Sequence, residues 1–336
     1  MHSNRFSLRS GLSTRELLVV IACIAVILAI VFPWAQAVRE SARRNTCMSE
    51  IRTHVLSILR YEAAHMSYPR AANLPSANAN ALKDFPDEVY YSWKASAHRF
   101  RFSCCTVQPE FEKAARWNRS VTRTVNGPNS ASAFAELKSD FLPRCPSEVG
   151  GVGGNPYRPV MLNGKLELIP TSSYVAANNI GACYAFNDSS GELPQGIFRM
   201  AKTKETDIAD GLSATVAIAE RRLNAGHFTP GAALGLATYT FGDATDYKVR
   251  GLQDVCFSAA GGINQTNSSF PGLERHGVSS NHPGGVCISK LDGSCHFLSN
   301  DIDRYTPTGS TLEPPPTGEY GVWESMIDID DGSQTE

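Results

Sequence analysis

The sequence contains no CxxC pair, no G-x-S-x-G elbow, no Walker loop and no dinucleotide fingerprint. Those absences remove a zinc ribbon, a thioredoxin-like site, an α/β-hydrolase nucleophile and the common phosphate cradles. The formal net charge is only -2, and no arginine-rich stripe with interleaved aromatics occurs, which argues against a nucleic-acid partner. No internal repeat of fixed period is evident. Nothing in the residue pattern demands an enzyme.

What is present begins at the amino terminus. No charged residue occurs from Leu17 through Ala37, and a single glutamate, Glu16, stands at the edge of that run. Leu17 to Phe32 alone makes roughly 24 Å of helix at about 1.5 Å per residue, and counting on to Val38 reaches bilayer thickness if Pro33 is accepted as a kink. A carboxylate at the rim of an apolar span is costly in lipid and calls for a partner. Three readings fit: a signal peptide cut near Ala35-Gln36-Ala37, a plain anchor, or a segment that is processed and retained.

The third reading accounts for Glu16. The stretch Gly11 to Pro33 resembles a type IV prepilin signal, which a dedicated peptidase cuts after glycine before methylating the new terminus. The resemblance implies cleavage after Gly11, methylation of Leu12, and Glu16 at mature position five as the assembly residue. Beyond the span, no Gly or Pro occurs until Pro69, and Ile51, Val55, Ile58 and Leu59 recur at helical spacing. One continuous helix to about His65 is expected.

From Ser67 the texture changes to short apolar runs broken by Gly, Pro, Asn and Ser, which suggests strands and long loops. Asn126–Ala131 and Val149–Tyr157 read as loops, Phe134–Phe141 as a short helix, and Tyr305–Gly318 as an extended insertion. At Asp210-Gly211 a turn precedes a strand ending at Glu220. Val286–Leu298 reads as a hairpin with a two-residue Asp292-Gly293 turn. That register sets Lys290 against Cys295 and Ile288 against Phe297, with Cys287 and Cys295 on opposite faces.

His282 is followed by nine residues and then Asp292-Gly293. This resembles the H-x9-DG signature of a planctomycete-type prepilin-like family, domain of unknown function 1559. Further pieces fall in the family's order: Cys47, Ser92-Trp93, Cys145-Pro146-Ser147, Ser173-Tyr174, Gly196-Ile197-Phe198, Asp210-Gly211 to Glu220, and Tyr320 to Trp323. The resemblance implies an α+β pilin-like fold, with a long amino-terminal helix packed against a mostly antiparallel β body carrying long loops. It divides the chain into a leader (1–11), a transmembrane and assembly segment (12–38), a helical stalk (39–66) and a body (67–336) containing the 282–293 motif.

The function so implied is that of a non-enzymatic pilin-like or pseudopilin-like protein, a filament or type II secretion-like subunit. Prepilin peptidase, the membrane and other pilin-like subunits are its partners. It would cross the cell inner membrane once, with the body periplasmic or extracellular. The alternative is a membrane-tethered module that binds an envelope glycan or protein and never polymerises.

His282, Asp292, Gly293, Asp210 and Gly211 are expected to be structural, since a histidine before Pro-Gly-Gly and an aspartate before glycine serve turns. The spacing of His276, His282 and His296 matches no standard metal site, so no metal and no cofactor is expected. Calcium near Asp328, Asp330 and Asp331 is admitted only through the pseudopilin resemblance, because the EF-hand spacing is missing and a solvated acidic tail is the simpler reading. Of the nine cysteines, Cys23 lies in the apolar run. The remaining Cys47, Cys104, Cys105, Cys145, Cys183, Cys256, Cys287 and Cys295 allow about 105 complete pairings, and buried free thiols fit equally well.

Overall fold

A computed structural model describes residues 13–72, 88–91, 93–94, 144–148, 157–162, 165–183, 193–199, 201–223, 233–234, 237–240, 252–265, 275–305, 315 and 319–332; for 88–91, 157–162, 165–170, 233–234 and 237–240 it describes the backbone alone. Gly11, Leu12, the expected helix Phe134–Phe141, the loop Asn126–Ala131 and most of Tyr305–Gly318 lie outside the described residues. The chain forms two compact units, Met1–Arg43 and Arg44–Glu336.

Helix α1 spans Thr14–His65 and runs through Pro33. Its first turn is closed by a capping box. The Ser13 N–H donates to Glu16 Oε2 at 2.8 Å, and the Glu16 N–H donates to Ser13 Oγ at 3.4 Å. In the first unit the apolar side chains stand in the open, from 46% exposed at Val31 to 69% at Ile30 and Trp34. This helix is long and apolar enough to cross a membrane.

In the second unit the helix carries a different face. Cys47, Ile51, Val55 and Ile58 are wholly buried, a stripe at helical spacing, while Leu59 packs against it half-buried. The helix ends at His65, where Met66 turns left-handed (φ 53°) and its N–H donates to Glu62 O at 2.7 Å.

The body's strands are β1 (Glu88–Tyr91), β2 (Tyr157–Leu162), β3 (Lys165–Ser172), β4 (Tyr174–Asn179), β5 (Val216–Glu220), β6 (Ala233–Leu234), β7 (Ala237–Thr240), β8 (Cys256–Ser258), β9 (Gly285–Lys290) and β10 (Cys295–Ser299). The main sheet has the order β10-β9-β5-β4-β8, antiparallel except for the parallel β4–β8 pair. A three-stranded sheet (β2-β3-β6) and the β1–β7 pair are smaller. The expected α+β class, with a long helix and a mostly antiparallel body, is what the fold shows.

Strands β4 and β5 are buried at every residue, which explains why they read as near-continuous small and apolar runs. Tyr174 and its cross-strand partner Glu220 face α1, with the Tyr174 ring centroid 5.4 Å from that of His54. On the other face Phe257, the register partner of Ala177, stacks on Trp323 of the short helix α2 (Val322–Ser325) at 5.8 Å.

The hairpin forms at Asp292-Gly293, but its register differs from expectation by one residue. Cys295 pairs with Ser289 and Phe297 with Cys287. The Lys290 N–H donates to Ser294 O, enclosing a three-residue loop that Gly293 closes at φ 86°. Leu291 is the cause: it is fully buried, and its N–H donates to Thr215 O at 3.0 Å. The shift puts Cys287 and Cys295 on the same face. The acidic end departs from a solvated tail only in part, for Asp330 is exposed. Ile327, Asp328 and Ile329 are buried, and the Val216 N–H donates to Met326 O at 2.7 Å.

Candidate functional site

Four buried side chains from four separate segments converge beside α1. Cys47 comes from the helix stripe, Cys145 from the Arg144–Glu148 turn, Glu220 from the end of β5, and His282 from the loop that enters β9. Cys47 and Cys145 are joined as a disulfide, with their Cα atoms 5.4 Å apart. His282 Nε2 lies 3.2 Å from Cys145 Sγ and 3.7 Å from Glu220 Oε1, and Cys47 Sγ lies 3.8 Å from the same oxygen.

The local architecture aims each group. The Ser279 N–H donates to the Glu220 carbonyl at 3.0 Å, tying the histidine loop to the strand end. Three residues on, the His282 N–H donates to Ser280 Oγ at 3.0 Å. The Cys145 N–H donates to Ser173 Oγ at 3.1 Å. Ser147 serves twice: its Oγ stands 3.3 Å from His282 Nδ1 and its N–H donates to Cys145 Sγ at 3.4 Å. The Cys287 N–H donates to Glu220 Oε2 at 3.4 Å.

Beneath this layer Arg221 is wholly buried. Its guanidinium donates to the carbonyls of Gly277, Cys256 and Gln253, tying the loop at Gly277 to the start of β8 and the turn before it. Glu148 accepts from the Leu223 N–H at 3.0 Å and from Asn281 at 3.3 Å.

Burial decides the electrostatics. It pushes the Glu220 carboxyl up to about 8, against the opposing pull of its bonds to Ser280 and Cys287. Burial thus biases the Glu220 carboxyl toward its protonated form beside His282, 3.7 Å away. Burial likewise lifts Glu148 to about 7. In chemical terms the cluster offers two sulfurs, one imidazole nitrogen and one carboxyl oxygen, all within 4.8 Å of one another.

The structure treats the residues singled out in the sequence differently from one another. His282 is buried in the cluster, a setting that a turn-forming role alone does not explain. Asp292 stays in its turn and accepts from the Ser294 N–H at 2.8 Å. Asp210 accepts from the Asp331 and Gly332 N–H groups, and Gly211 adopts φ 87°. Glu16 caps its own helix. Cys47, Cys145 and Glu220 were not singled out as site residues, although each stands in a segment that carries the family resemblance.

A family model described as a protein of unknown function, DUF1559, matches residues 36–305. No curated protein and no solved structure matches the chain.

Proposed function

The chain belongs to the DUF1559 family, and from that premise we propose that it is a membrane-anchored, pilin-like envelope protein with a structural task. Prepilin peptidase cuts after Gly11 and methylates Leu12, and the apolar half of α1 is retained. The body lies outside the cytoplasm, and Glu16 receives the amino-terminal charge of a neighbouring subunit in a packed helical bundle.

One observation carries this reading. The first unit presents a helix whose apolar side chains are about half to two-thirds exposed, with one carboxylate, Glu16, in its first turn. Apolar area left in water costs roughly 25 cal/mol per Å². Such a surface calls for lipid or for other helices, and the carboxylate gives the contact between helices a direction.

Mass spectrometry of the mature amino terminus tests the processing step. N-methylated Leu12 is the expected result, and a start at Val38 overturns it. Glu16→Ala tests assembly: loss of higher-order complexes with a folded body is expected. Complexes formed as well as in the unsubstituted protein would rule out the role given to Glu16.

A further inference from the structure

We infer that Cys47, Cys145, Glu220 and His282 constitute a tetrahedral Zn²⁺ site, available when the Cys47–Cys145 bond is reduced. The disulfide and the metal are alternative cross-links at one place in the fold. This site is independent of whether α1 assembles.

The ligand set comes first. Two thiolates, one imidazole and one carboxylate form a borderline-soft set of the kind Zn²⁺ prefers in four-coordinate sites. Geometry agrees. Bonds of about 2.0–2.3 Å arranged tetrahedrally place ligand atoms roughly 3.3–3.8 Å apart. The sulfur–nitrogen, nitrogen–oxygen and sulfur–oxygen separations here are 3.2, 3.7 and 3.8 Å. The sulfur–sulfur edge is closed by its covalent bond, and the two remaining edges lie within 4.8 Å.

The surroundings complete the argument. A ligating histidine is usually oriented through its second ring nitrogen, and ligating carboxylates and thiolates are themselves hydrogen-bonded. Ser147 Oγ stands at His282 Nδ1, the Cys287 N–H meets the Glu220 oxygen that points away from the sulfurs, and the Ser147 N–H meets Cys145 Sγ. A disulfide accounts for the two sulfurs. It gives no reason for a glutamate with 0% exposure and a histidine with 2% to be packed against them. A dication accounts for all four.

The exchange balances as follows. A dithiol reductant passes two electrons and two protons to the Cys47–Cys145 bond and leaves as its own disulfide. Zn²⁺ then displaces the two thiol protons to solvent, together with the proton of any Glu220 carboxyl that carries one. The four ligands come from α1, the Arg144–Glu148 turn, β5 and the loop before β9, so the ion would join the same segments that the disulfide joins and two more.

The test uses the full-length chain in detergent, reduced with a phosphine, desalted and titrated with Co²⁺ and Zn²⁺. The expected result is one ion per reduced chain, with the intense visible bands of tetrahedral Co²⁺ and a thiolate charge-transfer band, and no uptake by the oxidised chain. Ser147→Ala should weaken binding about 10–100-fold. Glu220→Gln and His282→Gln, each confirmed folded by circular dichroism, should weaken it at least as much. Reduced, folded protein without a thiolate–Co²⁺ band overturns the proposal. So does uptake that is unchanged in both Glu220→Gln and His282→Gln, because other cysteines would then hold the ion.

Discussion

His282 Nε2 lies 3.2 Å from Cys145 Sγ, although 137 residues separate them in the chain. Neither segment is regular structure. The cysteine turn is held by Ser173 next to β4, and the histidine loop by the carbonyl of Glu220 at the end of β5. Adjacent strands β4 and β5 thus bring two distant loops to one point, and α1 adds Cys47 from above the same sheet face.

Peptide mapping without reduction should recover Cys47 linked to Cys145. The bond closes a loop with a sequence separation of 98. On the chain-entropy account, a loop of that size stabilises by up to about 4–5 kcal/mol. The double variant Cys47→Ala/Cys145→Ala should lose most of that in urea unfolding under oxidising conditions.

Ile51→Ala and Ile58→Ala should each destabilise the body by about 2–5 kcal/mol, since both side chains are wholly buried. Leu56, on the same helix but 41% exposed, is the control. Its replacement by alanine should cost clearly less, read from the shift in urea midpoint.

Two glycines should fail for different reasons. A Cβ on Gly277 would run into the carbonyl oxygens of Gly261 and Gly262, where two backbones approach closely. Gly277→Ala should cost about 1–3 kcal/mol through that overlap. Gly211 has open space around it but sits at φ 87°, so Gly211→Ala should cost about 1–2 kcal/mol through backbone strain alone. Thermal unfolding measures both.

Asp328 should give stability a pH dependence of definite sign. Burial, helped by the nearby charges of Asp331 and Asp210, raises its carboxyl to about 6 against the bonds from the Asp330 and Ile329 N–H groups. Arg199 is the facing cation. The folded state therefore holds a proton that the unfolded chain releases near pH 4. The stabilisation is complete below about pH 4 and is lost as pH rises through about 6. Asp328→Asn, which keeps the acceptor oxygen, should be more stable than the parent at pH 7.5. The difference should shrink at pH 4.5, as read by urea midpoints at the two pH values.

Local physics made several elements legible. The stripe Ile51, Val55 and Ile58, the helix end at His65 and the strand end at Glu220 follow from periodicity and breakers. The hairpin at Asp292-Gly293 follows from turn chemistry, but its register does not. Burying Leu291 lengthened the loop by one residue, and that gain lies in a contact with Thr215 that no local pattern contains. The acidic end divides for the same reason: its charges signal water and Asp330 meets it, while Ile327 and Ile329 pull Asp328 inward.

The candidate site was the least legible part. Metal-site patterns depend on ligands that are near in sequence, and these four come from four distant segments. Eight cysteines outside the apolar run offered about 105 pairings, and only the packing of α1 on the sheet selects Cys47 with Cys145. Sequence alone determined that an apolar helical stretch follows one rim glutamate, Glu16, because charge and helical period are local properties. Tertiary structure decided that two cysteines, a glutamate and a histidine share one buried cluster, because convergence depends on strand order and on which faces are buried together.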